Sequence, residues 1–167
     1  VSIDAPVQFN SIMFIPKRSI DMFGVTKEDM GLDLYVRNVL IQHKNSDLLP
    51  EYLGFVKGMV DSPDIPLNIS RETLQENRVV IKISQTLIKQ VLSFLEKKAK
   101  KDEKDYLEFW QAHGKIFKLG YTDYTNQEKY SELLRFDSSA GSDGEQLISL
   151  AAYVERMKED QKEIYYL

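Results

Sequence analysis

VVIKISQTLIKQVLSFLEKKAKK, residues 79–101, decides the fold class of this chain. Its apolar residues recur at spacings of three and four, which predicts a long amphipathic helix. They are Val79, Val80, Ile83, Leu87, Ile88, Val91, Leu92 and Leu95. The helix is expected to end in lysines that complement its dipole: Lys97, Lys98, Lys100 and Lys101. Because the apolar period changes from two to 3.6 near residue 70, we expect an α/β chain with its strands first.

The residues before this helix predict three short strands. The first strand has Val7, Phe9, Met13 and Ile15 on one face, and Ile12 and Phe14 on the other. We therefore expect it to be exposed on one side at its start and buried on both sides at its end. Leu32–Ile41 alternates as a second, central strand. Phe55–Val60 is a third, short apolar run.

Three further helices are predicted after the long one. Glu103–Leu119 places its aromatic residues at helical spacing, with Asp102 as N-cap. A third helix is expected over residues 126–135, and Ser149 caps a fourth that runs through Met157. The serine- and glycine-rich residues 138–144 form a loop between them.

We divide the chain into three parts. Residues 1–100 form an α/β subdomain with the long helix, 101–160 a helical connecting segment, and 161–167 the start of a second α/β subdomain. The final residues Ile164–Leu167 read as a strand that has just begun. Both ends look cut, so we expect a piece of a longer protein.

The composition excludes several classes of protein. The 167 residues include no cysteine, which excludes a disulfide scaffold, a zinc module and thiol catalysis, and fits a reducing compartment. A net charge of −4 argues against a nucleic-acid binder that depends on phosphate neutralisation. No apolar run approaches the roughly 18–20 residues that span a bilayer, and the first residues lack a signal peptide's pattern. We expect a soluble protein of the cytoplasm or an organelle matrix.

Sequence motifs of common active sites are absent. The chain contains neither GxxxxGK[ST], GxGxxG nor HExxH. His113 follows an aromatic helical stripe and is expected to be a core histidine rather than a ligand or base, whereas His43 is expected to be solvated. We interpret the lysines at 97–101 as a solvated helix end, with binding of an anionic partner as the alternative.

One local feature is unusual, the stretch LNISRETLQ at residues 67–75. Ser70 is a good N-cap, which places Arg71 in a first helical turn, where its charge opposes the helix dipole by roughly 0.3–1 kcal/mol. The free N–H groups of a helix start and a guanidinium suit a phosphate, and Gln75 lies on the same helix face as Arg71. The alternative is a salt bridge from Arg71 to one of three carboxylates: Glu72, Asp61 or Asp64.

The same stretch resembles the middle-domain signature of the heat-shock protein 90 family of ATP-dependent chaperones. That signature is similar to three segments here: Pro50–Phe55, Val60–Ser62 and Pro66–Gln75. Further blocks resemble the family in the expected order: Phe14–Arg18, Leu34–Arg37, Lys118–Gly120, Leu133–Phe136, Ser149–Val154 and Arg156–Tyr166. The resemblance covers residues 1–167.

The resemblance implies an α/β fold with a mixed sheet, the left-handed βαβ unit found beside GHKL ATP sites, and a small helical segment. It also implies a homodimer whose subunits each carry an N-terminal ATP-binding domain, a middle domain and a C-terminal dimerisation domain. This chain resembles the larger, first part of the middle domain. ATP and Mg²⁺ are then bound mainly by the N-terminal domain, and this chain holds no cofactor or metal of its own.

Residue by residue, the resemblance matches Arg71 to the catalytic-loop arginine that reaches the γ-phosphate of ATP, and Gln75 to the accompanying glutamine. Asn68 and Ser70 shape that loop. An arginine in such a role is worth about 10³–10⁵ in rate in other phosphoryl-transfer systems. The chain alone is then no enzyme, but it completes the ATPase of the full-length protein.

A non-enzymatic docking module for unfolded client proteins or partners is the alternative function. It would use exposed apolar patches, which we expect around four aromatic residues: Tyr52, Phe55, Trp110 and Phe117. A DNA-linked relative of the GHKL ATPases, such as a topoisomerase, is disfavoured, because those proteins place a lysine where Arg71 stands and because this chain is acidic.

The sequence departs from the family at Leu40, where an aromatic residue is common, and at Gln42–Asn45, where an acidic run is common. That surface is implicated in partner contacts, so co-chaperone use is not carried over. The absence of a long charged insertion favours a bacterial or organellar member of the family.

Overall fold

The computed structural model describes residues 2–3, 7–17, 30–66, 77–139 and 146–166. In this part of the chain, five strands form one sheet in the order β1-β2-β5-β3-β4. They are β1 (Ser2–Ile3), β2 (Phe9–Phe14), β3 (Leu32–Val36), β4 (Val39–Asn45) and β5 (Lys57–Asp61). β3 and β5 are parallel and the other pairs are antiparallel. The predicted mixed sheet is confirmed.

The described α-helices all follow β5 along the chain. They are α1 (Arg78–Lys101), α2 (Glu103–Phe117), α3 (Gln127–Leu133) and α4 (Leu150–Glu155), with 3-10 helices at Glu51–Leu53 and Lys118–Thr122. Both predicted caps are confirmed: the Asp102 side chain accepts from Asp105 N, and the Ser149 side chain from Ala152 N. α1 begins at Arg78 after an extended Asn77, one residue before the first apolar residue of the predicted stripe, so the long helix is confirmed.

The second predicted strand is in fact a hairpin. β3 and β4 pair across a turn at Arg37 and Asn38, whose φ angles are 51° and 64°. A two-residue turn with positive φ at both positions matches the twist of antiparallel strands. Asp61 Oδ1, from β5, accepts the Asn38 N–H at 3.1 Å and stabilises this conformation. β3 is central, as predicted, whereas β4 forms an edge of the sheet.

The prediction that the first strand ends buried on both sides is wrong. In β2 the side chains of Phe9 and Ser11 are buried, but Ile12 and Phe14 remain 68% and 58% exposed. β2 therefore keeps one buried face along its length. The apolar residues on its other face contribute to a groove rather than to the core.

Gly58 lets β5 approach β2 closely. Its φ is 144°, and a Cβ at this position would lie 2.0 Å from the Ile12 carbonyl oxygen. A side chain would therefore force β2 and β5 apart. Glycine has a low strand propensity, but packing requires it at this position.

One core joins the sheet to the helices. α1 buries Val80, Ile83, Leu87, Val91, Leu92 and Leu95, which belong to the predicted stripe. Two tyrosine hydroxyls tie the helices together, since Tyr106 Oη donates to the Leu133 carbonyl at 2.5 Å and Tyr130 Oη to the Phe117 carbonyl at 2.9 Å. Buried residues of the sheet and of α1, α2 and α3 belong to one hydrophobic cluster.

Two expectations near the C-terminal end have different outcomes. Ser138, the first residue of the predicted loop 138–144, is instead the last residue of β6 (Phe136–Ser138), which pairs with β7 (Gln146–Ile148). Residues 140–144 of that loop lie outside the described part of the chain. The strand expected over Ile164–Leu167 is not formed in its described residues 164–166. The division into three parts and the left-handed βαβ unit stay predictions.

Candidate functional site

The four residues predicted for the phosphate-binding loop are Asn68, Ser70, Arg71 and Gln75, and all lie in residues 67–76, outside the described part of the chain. Described residues flank this segment on both sides. Hydrogen bonds hold the chain in place before the segment, at Ser62 and Asp64, and after it, at Asn77.

The first attachment point follows β5. Ser62 is fully buried, and its hydroxyl donates to the Gln8 carbonyl at 2.7 Å. Asp64 Oδ2 accepts the Gln8 N–H at 2.8 Å, and the Asp64 N–H donates to Ser62 Oγ at 3.3 Å. Ile65 is buried beside them. The chain is therefore held against the start of β2 directly before the candidate loop.

The second attachment point is the start of α1. Asn77 Oδ1 accepts the Val79 N–H at 2.8 Å and the Val80 N–H at 3.4 Å, which satisfies two of the free N–H groups at this helix end. Arg78 follows as an exposed cation in a first turn that has no acidic residue. Asn77 is a cap that the sequence interpretation missed, although Asn at a helix start is a recognisable signal.

Two of the carboxylates considered as partners of Arg71 have partners in the described structure. Asp61 accepts the Asn38 N–H and Asp64 accepts the Gln8 N–H. Each carboxylate can accept more than one hydrogen bond, so the salt-bridge alternative for Arg71 stays open.

The predicted client surface is wrong. Tyr52, Phe55, Trp110 and Phe117 are all buried. Phe117 lies at the centre of this aromatic cluster, 5.9 Å from the Tyr52 ring, 6.1 Å from the Phe55 ring and 6.1 Å from the Trp110 ring. The aromatic residues of α2 therefore form core contacts with the residues around the first 3-10 helix, and they offer no surface to a partner.

A large apolar groove lies elsewhere, between β2 and the first two helices. Its volume is about 850 Å³, and one wall is the continuous run Ser11–Lys17. The other wall comes from α1 and α2: Gln90, Val91, Phe94, Lys98, Asp105, Glu108 and Phe109. Sequence reasoning missed this groove because it placed the end of the first strand inside the core.

The two histidines behave as predicted. His113 is buried, and its Nε2 donates to the Pro16 carbonyl at 2.7 Å. Burial lowers the pKa of His113, and the hydrogen bond to Pro16 opposes that shift. His43 is solvated, with its side chain 73% exposed and Nδ1 3.3 Å from Asp33 Oδ1.

At the lysine-rich end of α1, Lys97, Lys100 and Lys101 are exposed, and binding of an anionic partner stays the alternative interpretation. Lys98 forms an ion pair with Asp105, and Lys100 Nζ lies 2.6 Å from Glu96 Oε1. Within the described ranges, no three His, Asp or Glu side chains are grouped so as to hold a metal ion. No helix in the same ranges is long and apolar enough to cross a membrane.

The chain matches known proteins along its whole length. The family model described as Hsp90 protein matches residues 1–167. Chaperone protein HtpG of Nitratidesulfovibrio vulgaris is 58% identical over 167 residues, which are 100% of this chain and 26% of the relative. HtpG of Francisella tularensis subsp. novicida is 45% identical over 166 residues, which are 99% of this chain and 26% of the relative. The chain thus spans about a quarter of the length of these curated relatives.

A solved structure agrees in fold. The middle domain of a Plasmodium falciparum heat shock protein superposes with a TM-score of 0.85 at 29% sequence identity. The match covers 99% of this chain and 64% of that chain.

Proposed function

Since the chain belongs to the Hsp90 protein family and matches a middle domain of that family, we propose that it completes the ATPase of a full-length chaperone. In this proposal Arg71 reaches the γ-phosphate of ATP bound by an N-terminal domain, and Gln75 accompanies it. Asn68 and Ser70 shape the loop that carries them. The full-length protein acts as a homodimer in the cytoplasm or an organelle matrix.

The position of the candidate loop between two fixed points is the observation that supports this proposal best. The Ser62 and Asp64 contacts with Gln8 hold one end, and the Asn77 cap holds the other. A loop attached at both ends to a packed domain can present a cation at a reproducible place. Such positioning is what stabilisation of a transferring phosphoryl group requires.

The chemistry of the proposed step is electrostatic. A guanidinium fork binds phosphate oxygens with two hydrogen bonds and stabilises the charge that develops on the transferring group. ATP and Mg²⁺ would be held by the N-terminal domain, with the metal neutralising the phosphates. Because Arg71 belongs to another domain, hydrolysis would follow closure of the two domains and so be coupled to conformational change.

Turnover of the full-length protein tests the role of Arg71. We expect Arg71→Ala to lower kcat by about 10³–10⁵, the range that such arginines supply in other phosphoryl-transfer enzymes. Nucleotide affinity should change little, because the nucleotide is held mainly by the other domain. Arg78→Ala is a matched control, since Arg78 is an exposed cation seven residues further along. Unchanged turnover in Arg71→Ala would contradict the catalytic role.

Binding of unfolded client proteins is the second part of the proposal, and a docking function without catalysis remains its alternative. The four buried aromatic residues cannot provide the client surface. A protein that only docks clients would keep full ATPase activity when Arg71 is replaced, which separates the two functions.

A further inference from the structure

We propose that Arg135 and Lys118 form a binding site for a carboxylate group, supplied by an acidic side chain in the part of the middle domain that lies outside these 167 residues. The site would join this chain to the rest of its own domain. The proposal does not depend on the role of Arg71, because both cations belong to the helical part of the chain.

Arg135 is a buried cation without a counter-ion in the described structure. The residue is only 6% exposed. Its Nη1 donates to the Glu132 carbonyl at 3.1 Å and to the Leu134 carbonyl at 3.0 Å, at the end of α3. Its Nε is buried and has no hydrogen-bond partner among the described residues. A charge removed from water is costly unless it is paired and its hydrogen bonds are satisfied, so Arg135 calls for an anion.

Lys118 is a second cation on the same face of α2. Tyr106 and Trp110 are four positions apart in that helix, so their rings are neighbours on its surface. The guanidinium carbon of Arg135 lies 4.7 Å from the Tyr106 ring centroid, and Lys118 Nζ lies 5.6 Å from the Trp110 ring centroid. Lys118 Nζ is also 5.3 Å from the ring of Phe136, the residue next to Arg135. The two cations therefore stand side by side, each held over an aromatic ring.

This pair of cations suits a carboxylate. Within the described ranges neither cation takes part in an ion pair, although the chain has 26 acidic against 22 basic residues. A guanidinium offers two parallel N–H donors to the two oxygens of one carboxylate, and an ammonium adds a compact charge beside them. An anion at this place would satisfy Nε of Arg135 and offset the repulsion between the two cations.

The rest of the middle domain is the occupant that the observations favour. This chain covers 64% of the solved middle-domain chain, which leaves about a third of that chain unmatched. Exposed apolar side chains surround the two cations: Phe136 is 37%, Leu119 45% and Tyr121 70% exposed. A neighbouring part of the domain would cover them, and it would be present at high effective concentration because it belongs to the same chain. A second copy or a free anion lacks that advantage.

The chain that leaves α4 passes this site. Arg156 Nη2, directly after that helix, donates to Ser138 Oγ in β6 at 3.2 Å. β6 begins at Phe136, next to Arg135. A covalent route from the described residues to a neighbouring part of the domain therefore runs beside the two cations.

Amide hydrogen exchange in two forms of the protein tests the proposal. Arg135→Met removes the charge and keeps an unbranched side chain over Tyr106. In the full-length protein we expect the amides of residues 130–136 to exchange at least tenfold faster in this variant, because a buried carboxylate loses its counter-ion and the contact opens. In the 167-residue chain the acceleration should stay below threefold, since no carboxylate is left unpaired.

Two further variants keep the test decisive if Arg135→Met disturbs folding. Lys118→Met replaces an exposed side chain and should accelerate the same amides at least threefold in the full-length protein only. Lys129→Met, at an exposed cation on α3, is the control and should have no such effect in either form. An equal acceleration by Arg135→Met in both forms would make Arg135 a cap of α3 alone and overturn the proposal.

Photo-cross-linking identifies the source of the carboxylate. A photoreactive benzoylphenylalanine in place of Phe136 in the full-length protein should cross-link within one molecule to the middle domain outside these 167 residues. Arg135→Met should lower the yield at least fivefold. A cross-link only between two molecules would assign the site to a second copy and overturn the proposal. Protection of residues 130–136 in the 167-residue chain by inorganic phosphate, equal to that in the full-length protein, would assign it to a free anion and overturn it too.

Discussion

Replacing Phe117 by alanine distinguishes a core residue from a partner-binding residue. The side chain is fully buried and contacts five aromatic rings at centroid distances of 5.1–6.2 Å. A Phe→Ala change at such a site costs about 3–5 kcal/mol, because apolar contacts are lost and the surrounding rings collapse only partly. That is a large part of the roughly 5–15 kcal/mol that stabilises a typical domain.

Urea unfolding of the 167-residue chain measures this loss. Trp110 is the single tryptophan, is buried, and lies 6.1 Å from the Phe117 ring, so its fluorescence reports the unfolding of this cluster. Far-UV circular dichroism provides an independent probe. Tyr121→Ala is the control, since an exposed aromatic residue should change the free energy of unfolding by no more than about 0.5 kcal/mol.

The reasoning would be refuted by a specific result. If Phe117→Ala lowered the free energy of unfolding by less than about 1 kcal/mol with an unchanged m value, the cluster would not be a packed core. Loss of client affinity at unchanged stability would instead restore Phe117 to the surface role that the sequence first predicted.

Three further outcomes are expected. Tyr52→Phe should lower the free energy of unfolding by about 1.5–3 kcal/mol, because Tyr52 Oη donates to Asp123 Oδ2 at 2.6 Å and burial, followed by that hydrogen bond, raises the pKa of Tyr52 and keeps the hydroxyl protonated. Tyr124→Phe, at an exposed neighbour, should change it little in the same urea titration. Burial lowers the pKa of His113 in the folded state. As the pH falls below about 6.5, the ordinary pKa of histidine, the unfolded state therefore takes up a proton at His113 before the folded state does. The free energy of unfolding should consequently decrease from pH 7 to pH 5. Thermal melts of His113→Gln should show a smaller fall than those of the parent. Gly58→Ala should cost at least about 2 kcal/mol, since φ is 144° and the new Cβ would meet the Ile12 carbonyl oxygen; Met59→Ala, which removes an exposed side chain, is the control in the same unfolding assay.

Local patterns predicted the helical part of the fold well. The stripe from Val80 to Leu95 faces the core because 3–4 spacing leaves little choice of buried face. Asp102 and Ser149 cap their helices because an acceptor side chain beside free N–H groups acts over only three residues. Such signals depend only on residues a few positions apart in the chain, so the sequence alone is enough to predict them.

The strands were predicted less accurately because their details depend on distant residues. Arg37 and Asn38 carry no glycine to mark a turn, and the Asn38 N–H is held by Asp61, 23 positions away. Ile12 and Phe14 looked buried because they are apolar, but no described element packs fully over them, and they line the groove instead. The candidate loop is a different case from the helices and strands. The roles of Arg71 and Gln75 were assigned from the family resemblance, and both residues lie outside the described part of the chain.

The sequence by itself determined the α/β class, the long amphipathic helix and membership of a chaperone family, since composition, apolar period and ordered motifs are properties of the chain alone. Only the tertiary structure decided which apolar side chains are core and which are surface. Tyr52, Phe55, Trp110 and Phe117 are buried because the first 3-10 helix packs against α2, whereas Ile12, Phe14 and Phe94 are exposed and line the groove. Burial is a property of packing between elements distant in sequence, and no local pattern of residues fixes it.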